Sequence, residues 1–153
     1  GEAWRKKIYD ELLGNSRIIK SVLNLFQTKN IGIIGPHYYY LTHPQFWGAD
    51  KEKARILLED MEIKFPNDEI PLGFFAGSMF WFNPSAFSAL HAIKKEHLKF
   101  EEEKGQQDGT LAHSFERIFC IVARSAGYVT TSLSLGGEEI SKTDTANNRV
   151  PVL

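Results

Sequence analysis

Side chains able to accept a proton and to stabilise negative charge gather around one predicted helix in the second half of the chain. Asp108 comes just before Gly109 and Thr110, and His113 and Arg117 follow at helical spacing. A sugar transfer with inversion is one reaction that needs such a set, because a carboxylate must take the proton from an acceptor hydroxyl and positive charge must stabilise a departing diphosphate. Asp108 is the candidate base, and His113 or Arg117 is the candidate for stabilising the charge.

The sequence predicts this helix from Gly109 to Ala126, with one apolar and one polar side. The two sides differ in their residues: Leu111, Phe115, Ile118, Phe119 and Val122 on the apolar side, and Thr110, His113, Arg117 and Arg124 on the polar side.

Each of these residues also has a structural explanation. Asp108 can cap the helix, and the base and cap roles can coexist because a capping carboxylate keeps a free lone pair. His113 can be a solvated or hydrogen-bonded histidine, and Arg117 can form an ion pair with Glu116 or Glu103.

The segment from His37 to Gly48 is unusually aromatic for a connection expected at the surface. Tyr38, Tyr39 and Trp47 are candidates for stacking on an acceptor sugar, because such rings suit the C–H faces of pyranoses. The alternative is that these side chains fold back onto the protein as a small satellite core.

Helices are predicted where apolar residues recur at steps of three and four between capping residues. They cover residues 3–13 before Gly14, a segment capped by Asn15 or Ser16 that runs to Thr28, a segment capped by Asp50 that runs to Met61, and a segment that begins at Asn83-Pro84.

Three apolar runs predict strands, at residues 31–35 before Pro36, at 72–82 and at 128–133. Their alternation with helices predicts an α/β domain with a mixed sheet flanked by helices. A sheet of three strands is thin, which favours a missing neighbouring segment. We expect one domain over residues 1–135 and a polar tail over 136–153.

Composition excludes several classes of function. Eighteen basic and nineteen acidic side chains in 153 residues argue against a nucleic-acid partner. The single cysteine, Cys120, lies among apolar residues and is expected to be a buried thiol in a reducing compartment. We find no run of about 20 apolar residues, so we expect a cytoplasmic chain that can act at the inner face of the cell membrane.

Metal ligands are not evident in the sequence. An Asp-x-Asp motif does not occur, and His37 and His43 are six residues apart across a proline-flanked loop, which is weak spacing for a metal site. We therefore predict no metal site in this chain.

Two longer motifs are evident, and the second contains Asp108, His113 and Arg117. Residues 74–84 read Phe-Phe-Ala-Gly-Ser-Met-Phe-Trp-Phe-Asn-Pro, and residues 107–117 read Gln-Asp-Gly-Thr-Leu-Ala-His-Ser-Phe-Glu-Arg. Together with Ser125-Ala126-Gly127-Tyr128 they resemble the rhamnan synthesis protein F family. Weaker similarity extends upstream to Trp4, so the resemblance covers most of residues 4–128.

The resemblance implies a glycosyltransferase that builds rhamnose-containing cell-surface polysaccharide from a nucleotide sugar such as dTDP-rhamnose. It implies a GT-A-like fold of which this chain is the C-terminal, acceptor-side part, with Asp108 in the place of the base. Ser78, Trp81 and Thr110 lie in the matching motifs and are further candidates for substrate binding.

The same resemblance places the donor-binding half, with its Asp-x-Asp metal motif, before residue 1. We therefore expect the nucleotide sugar and any divalent cation to bind in the full-length protein, and this chain alone to be inactive without a cofactor of its own. The acceptor is expected to be a polysaccharide or a lipid-linked sugar.

Two other functions remain open. The chain can be a non-catalytic carbohydrate-binding or scaffold module of the same fold, or a purely structural interaction domain. A homodimer that covers the open edge of the sheet is compatible with each of them.

Overall fold

The computed structural model describes residues 1–42, 44–65, 73–102, 104–106, 108–134 and 137–141. Within these ranges the α-helices are α1 (Glu2–Leu13), α2 (Ser16–Thr28), α3 (Lys51–Asp60) and α4 (Leu111–Ser125). The strands are β1 (Ile31–Pro36), β2 (Tyr40–Leu41), β3 (Phe74–Phe75), β4 (Trp81–Phe82), β5 (Val129–Leu133) and β6 (Glu139–Ser141). Short 3-10 segments cover His37–Tyr39, Pro44–Asp50, Pro84–Ala92 and Lys95–His97.

The main sheet is mixed, as predicted. Its strand order is β4-β1-β5-β6, with β1 and β5 parallel and the two outer pairs antiparallel. A second, two-stranded sheet pairs β2 with β3. The chain is therefore a mixed α/β fold with a small mixed sheet flanked by helices.

The first three predicted helices form nearly where the sequence places them. The cap of α2 is Asn15, whose Oδ1 accepts hydrogen bonds from the amides of Arg17 (3.0 Å) and Ile18 (3.1 Å). Asn83 caps the next predicted helix through the amide of Ser85, but that segment is a 3-10 helix.

The prediction of one strand over residues 72–82 is wrong for its described part. Gly77 (φ 87°) and Ser78 (φ 53°) adopt left-handed conformations that a continuing strand does not allow. The chain turns there, so β3 joins the small sheet and β4 forms one edge of the main sheet. Phe82, on this edge strand, is 53% exposed.

Helices cover both faces of the main sheet. On one face, α2 packs onto β1 and β5 through a cluster that includes Ile18, Val22 and Leu133. On the other face, α3 and α4 form the larger core with Ile33 of β1. Cys120 is 1% exposed in that core, which confirms the predicted buried thiol.

Part of the predicted polar tail extends the sheet. Glu139–Ser141 pairs with β5 as strand β6, whereas residues 136 and 142–153 lie outside the described ranges. Among the described helices, none combines the length and the apolar character that crossing a membrane requires.

The two sheets meet where Phe75 of β3 packs over Gly35 of β1. A Cβ built on Gly35 would lie 2.3 Å from the Phe75 ring, so Gly35→Ala should force the two sheets apart. We expect Gly35→Ala to lower the free energy of unfolding by about 1–3 kcal/mol, as overpacking does. Urea denaturation of the chain measures this loss.

The control is the same substitution in a Phe75→Leu background, where the smaller side chain leaves room. The cost of Gly35→Ala should be smaller there, because the two positions share one contact. Equal costs in both backgrounds would show that the Phe75 ring is not the obstacle.

Candidate functional site

The candidate site forms where the 3-10 segment Pro44–Asp50 meets the residues before α4. Gly48 has φ 45° and ψ −133°, which turns the chain and breaks the 3-10 segment. The amide of Ala49 then donates a hydrogen bond to Asp108 Oδ2 at 3.0 Å. A Cβ on Gly48 would lie 1.9 Å from the same oxygen, so only glycine allows this approach.

Asp50 is completely buried beside this contact and was not among the predicted site residues. Its Oδ1 accepts hydrogen bonds from the Gly109 amide (3.1 Å) and the Ser114 hydroxyl (3.3 Å). Asp50 stands at the cap position of α3, but its side chain makes no capping hydrogen bond there. The predicted cap role of its carboxylate is therefore wrong, because the side chain turns towards α4.

Arg117 lies at the centre of the site and is only 7% exposed, although the sequence predicts it on the polar side of the helix. Its Nε lies 3.4 Å from Asp50 Oδ2, and its Nη2 lies 3.7 Å from Asp108 Oδ1. Its Nη1 forms an ion pair with Glu116, which confirms that predicted interaction, whereas Glu103 lies outside the described residues.

Further contacts fix the orientation of the Arg117 guanidinium. It donates hydrogen bonds to the carbonyl oxygens of Phe46 (3.2 Å) and His113 (3.3 Å). It also stacks on the Phe74 ring at 4.7 Å. A charge removed from water is tolerated when it is paired and hydrogen-bonded in this way.

The two aspartates have opposite pKa shifts. Burial raises the pKa of Asp50 to about 7, assisted by its hydrogen bond with Asp108 and opposed by Arg117. The pKa of Asp108 is lowered, chiefly by the hydrogen bond from Asp50 and further by the amides of Ala49 and Gly109 and by Arg117. Pairs of carboxyls with opposite shifts are typical of acid and base assignments in active sites.

Asp108 is the accessible member of the pair, because its side chain is 41% exposed. It is not the cap of α4, which corrects that prediction: α4 begins at Leu111, and Thr110 Oγ1 accepts the capping hydrogen bond from the His113 amide at 3.3 Å. An ionised, solvent-facing carboxylate therefore stands next to a buried cation.

Thr110 and His113 lie at the start of α4 and contact each other. The hydroxyl of Thr110 is 2.7 Å from His113 Nδ1, and both side chains are partly buried. Glu101 strengthens this end of α4, since its Oε2 accepts a hydrogen bond from the Leu111 amide at 2.8 Å. That bond, followed by the contact with Lys53, lowers the pKa of Glu101 to about 2.

The aromatic candidates divide into buried and exposed side chains. Tyr39 and Trp47 are each 8% exposed and pack edge-on against Trp4 (5.8 Å) and Phe65 (5.4 Å). The alternative that these loop aromatics fold back onto the protein describes both of them. Tyr38 is 56% exposed and keeps its ring accessible.

The remaining candidates are described by contacts with other parts of the protein. Trp81 donates its Nε1–H to the carbonyl of Leu12 at 3.0 Å and packs among α1 and α2. Ser78 is exposed in the turn after Gly77, whose amide donates to Glu116. Arg124, predicted on the polar side with Arg117, donates to the Tyr40 hydroxyl.

Sequence reasoning missed Asp50 because an aspartate before a helix has an ordinary explanation as its cap. Its partners lie far along the chain, with Gly109 59 residues away.

Among the described residues, no group of three or more His, Cys, Asp or Glu side chains is arranged to hold a metal ion. His37 Nδ1 lies 3.2 Å from Ser132 Oγ, and His43 lies outside the described ranges.

The fold and the site define a small mixed α/β domain with a carboxyl pair packed on a buried arginine. The chain belongs to the family of rhamnan synthesis protein F, whose model matches residues 1–128. This membership associates the chain with the synthesis of rhamnan-type polysaccharide.

Similar proteins come from two strains of Xanthomonas campestris pv. campestris. Both are named WxcX and described as uncharacterized, and each is 32% identical over 154 residues, covering 95% of this chain. The chain spans about a fifth (21%) of their length. No solved structure matches the chain.

The raised pKa of Asp50 predicts a pH dependence of stability. Because the folded-state pKa of about 7 is above the ordinary value of 3.8, the protonated carboxyl is favoured by folding. This contribution is fully present below pH 4 and is lost as the pH rises towards 7, at up to about 1.4 kcal/mol per pH unit. Asp50→Asn does not titrate, so its free energy of unfolding should lack this decline.

Urea denaturation between pH 4.5 and 8 measures the difference between the two proteins. Asp10→Asn is the matched control, because Asp10 is a surface aspartate paired with Lys6, and it should follow the wild-type slope. Parallel curves for wild type and Asp50→Asn would mean that Asp50 titrates as an ordinary aspartate.

Proposed function

We propose that the chain is the acceptor-side part of a GT-A-like glycosyltransferase that transfers rhamnose from dTDP-rhamnose to a growing bacterial cell-surface polysaccharide. Asp108 is the base that takes the proton from the acceptor hydroxyl. The observation that carries this proposal is a solvent-facing carboxylate, 41% exposed, held against the buried cation Arg117.

Asp108 meets the geometric needs of a base. Its Oδ2 is fixed by the Ala49 amide, and its Oδ1 faces Arg117. The lowered pKa keeps the carboxylate ionised near neutral pH, which a base requires before it accepts a proton. Thr110 and His113 lie at the same end of α4, where their polar atoms can orient the acceptor.

Arg117 has a different role in this proposal from the one suggested by its sequence pattern. Its guanidinium is 7% exposed and already contacts Asp50, Asp108 and Glu116. It therefore holds the base in place and does not reach a departing diphosphate. Stabilising that group falls to the donor-binding half of the longer protein and to a divalent cation bound there.

The length of the relatives supports a catalytic site formed by this chain together with another part of a longer polypeptide. Because the chain spans 21% of WxcX, the nucleotide sugar has ample room to bind elsewhere in a polypeptide of that size. The acceptor in this proposal is a polysaccharide or a lipid-linked sugar at the cytoplasmic face of the cell membrane. Tyr38 is an accessible ring for stacking on it.

A carbohydrate-binding or scaffold module of the same fold is the second candidate. One observation favours it: the contacts of Arg117 with Asp50, Glu116 and the Phe46 carbonyl tie three segments together and would serve a structural purpose without catalysis. The two candidates differ in whether Asp108 is needed for turnover.

The test is rhamnosyl transfer from dTDP-rhamnose by the complete natural polypeptide. Asp108→Asn should lower kcat by about a hundredfold or more, which is the usual size of a general-base effect. The Tm should change little, because an asparagine oxygen still accepts the Ala49 amide. Asp10→Asn should transfer at the wild-type rate, and His113→Ala shows whether the imidazole contributes.

Each result decides between the two candidates. Unchanged transfer by Asp108→Asn would remove Asp108 as the base. Absence of transfer by the complete wild-type polypeptide, together with saccharide binding, would favour the binding module.

A further inference from the structure

We propose that Asp50 is a positioning residue that forms one proton-sharing pair with Asp108, so that a proton taken from the acceptor by Asp108 is finally held by Asp50. This inference rests on the proposed function for its catalytic part. The pairing of the two carboxyls does not depend on that function, because it is argued from their contacts with one arginine and with the backbone amides beside them.

The geometry leaves one oxygen of Asp50 available. Oδ1 already accepts from the Gly109 amide and the Ser114 hydroxyl. Oδ2 is completely buried and lies 3.4 Å from Arg117 Nε, but it accepts no hydrogen bond from the described residues. A buried polar oxygen in this state costs about 1–3 kcal/mol.

A proton on one carboxyl removes this cost. The backbone amide next to each aspartate donates to the other one, Ala49 to Asp108 and Gly109 to Asp50, and both carboxyls contact Arg117, so the two carboxyl groups lie side by side. Two ionised carboxylates at such a distance repel, whereas one proton between them forms a short O–H···O⁻ hydrogen bond. The buried carboxyl retains the proton, and the exposed one stays ionised.

The charges around the pair come from several elements. Arg117 of α4 faces both carboxyls, and Glu116 occupies the far side of its guanidinium. Lys53 of α3 is bonded to the Gly109 carbonyl and to Glu101, so it is already paired. One buried cation therefore faces three carboxyls, and this surplus of negative charge favours keeping one proton in the cluster.

The reaction balances with these groups. The acceptor O–H bond breaks, its electron pair forms the bond to the anomeric carbon, and the bond from that carbon to the diphosphate breaks with its electrons on the leaving group. In the reactive form of the pair, which predominates above pH 7, both carboxyls are ionised. The proton passes to the Asp108 carboxylate and on to Asp50 Oδ2, which restores the singly protonated pair. A pair with a proton affinity near neutral pH is a stronger base than an isolated aspartate, whose ordinary pKa is about 3.9.

The first arm of the test measures the proton without any turnover. Carbon-13 NMR of labelled aspartate carboxyls in the 153-residue chain should show one carboxyl, that of Asp50, titrating near pH 7, whereas the pKa of Asp108 is lowered from its ordinary value. Asp50→Asn should abolish the upper transition. In Asp108→Asn the upper transition should also change, because its hydrogen-bond partner is replaced.

The second arm uses two variants that act in opposite directions on the pH profile of kcat/KM in the complete natural polypeptide. Asp50→Asn removes the group that titrates near pH 7 and leaves Asp108 to set the acid limb, so this limb should move down by about two pH units or more. Ser114→Ala removes a hydrogen bond that lowers the pKa of Asp50, so the acid limb should move up. A merely structural role of Asp50 would lower the rate without moving the limb.

The two arms separate the failure of this inference from the failure of the proposed function. If no aspartate of the chain titrates near pH 7, the shared proton does not exist, whatever the polypeptide catalyses. If the NMR transitions appear and Asp108→Asn still transfers rhamnose normally, the pair exists but is not the base. An acid limb that stays in place in both variants would overturn the role of Asp50 even if the transitions appear.

Discussion

The burial of one positive charge determines how this site is built. The guanidinium of Arg117 is 7% exposed, and removing such an ion from water costs several kcal/mol unless partners compensate. The partners come from separate parts of the chain: Asp50 from the 3-10 segment before α3, Asp108 from the residues before α4, and Glu116 from α4 itself. These segments must therefore meet around one side chain.

Glycine conformations allow this convergence. Gly48 turns the backbone with φ 45° and leaves room for the Asp108 carboxylate. Gly77, with φ 87°, ends the run of β3 and presents its amide to Glu116, which binds Arg117 in turn. The turn that breaks the predicted strand is therefore the same turn that completes the arginine site.

Local sequence patterns predict the elements of this fold better than the contacts between them. The helix from Ser16 to Thr28 and the strand at 31–36 follow from periodicity, a capping asparagine and a β-branched run, which are local signals. The break at Gly77 and Ser78 depends on left-handed backbone torsion angles. Both residues lie within an apolar run, and such a run by itself predicts a continuous strand. The helical pattern predicts Arg117 on the polar side, because such a pattern cannot show that carboxylates from other segments contact the guanidinium in the protein interior.

In the candidate site, too, local sequence patterns identify some residues and miss others. Asp108, Thr110, His113 and Arg117 were found because they are close in sequence and follow a helix period. Asp50 was missed because its importance depends on a contact with Gly109, 59 residues away. Contacts between residues so far apart in the sequence depend on the packing of α3 against α4. The local pattern of the sequence does not specify that packing.

The composition of the cluster argues that its charge is not set by structure alone. One arginine needs one carboxylate for neutrality, and three face Arg117. An asparagine at position 50 would accept from Gly109 and Ser114 equally well and would avoid burying an acid whose pKa is raised to about 7. If the cluster served only to hold segments of the chain together, the protein would be more stable at neutral pH without that acid. The raised pKa of the buried carboxyl costs stability in the pH range in which a general base works best, and the proton transfer proposed for Asp108 would give a physical reason for that cost.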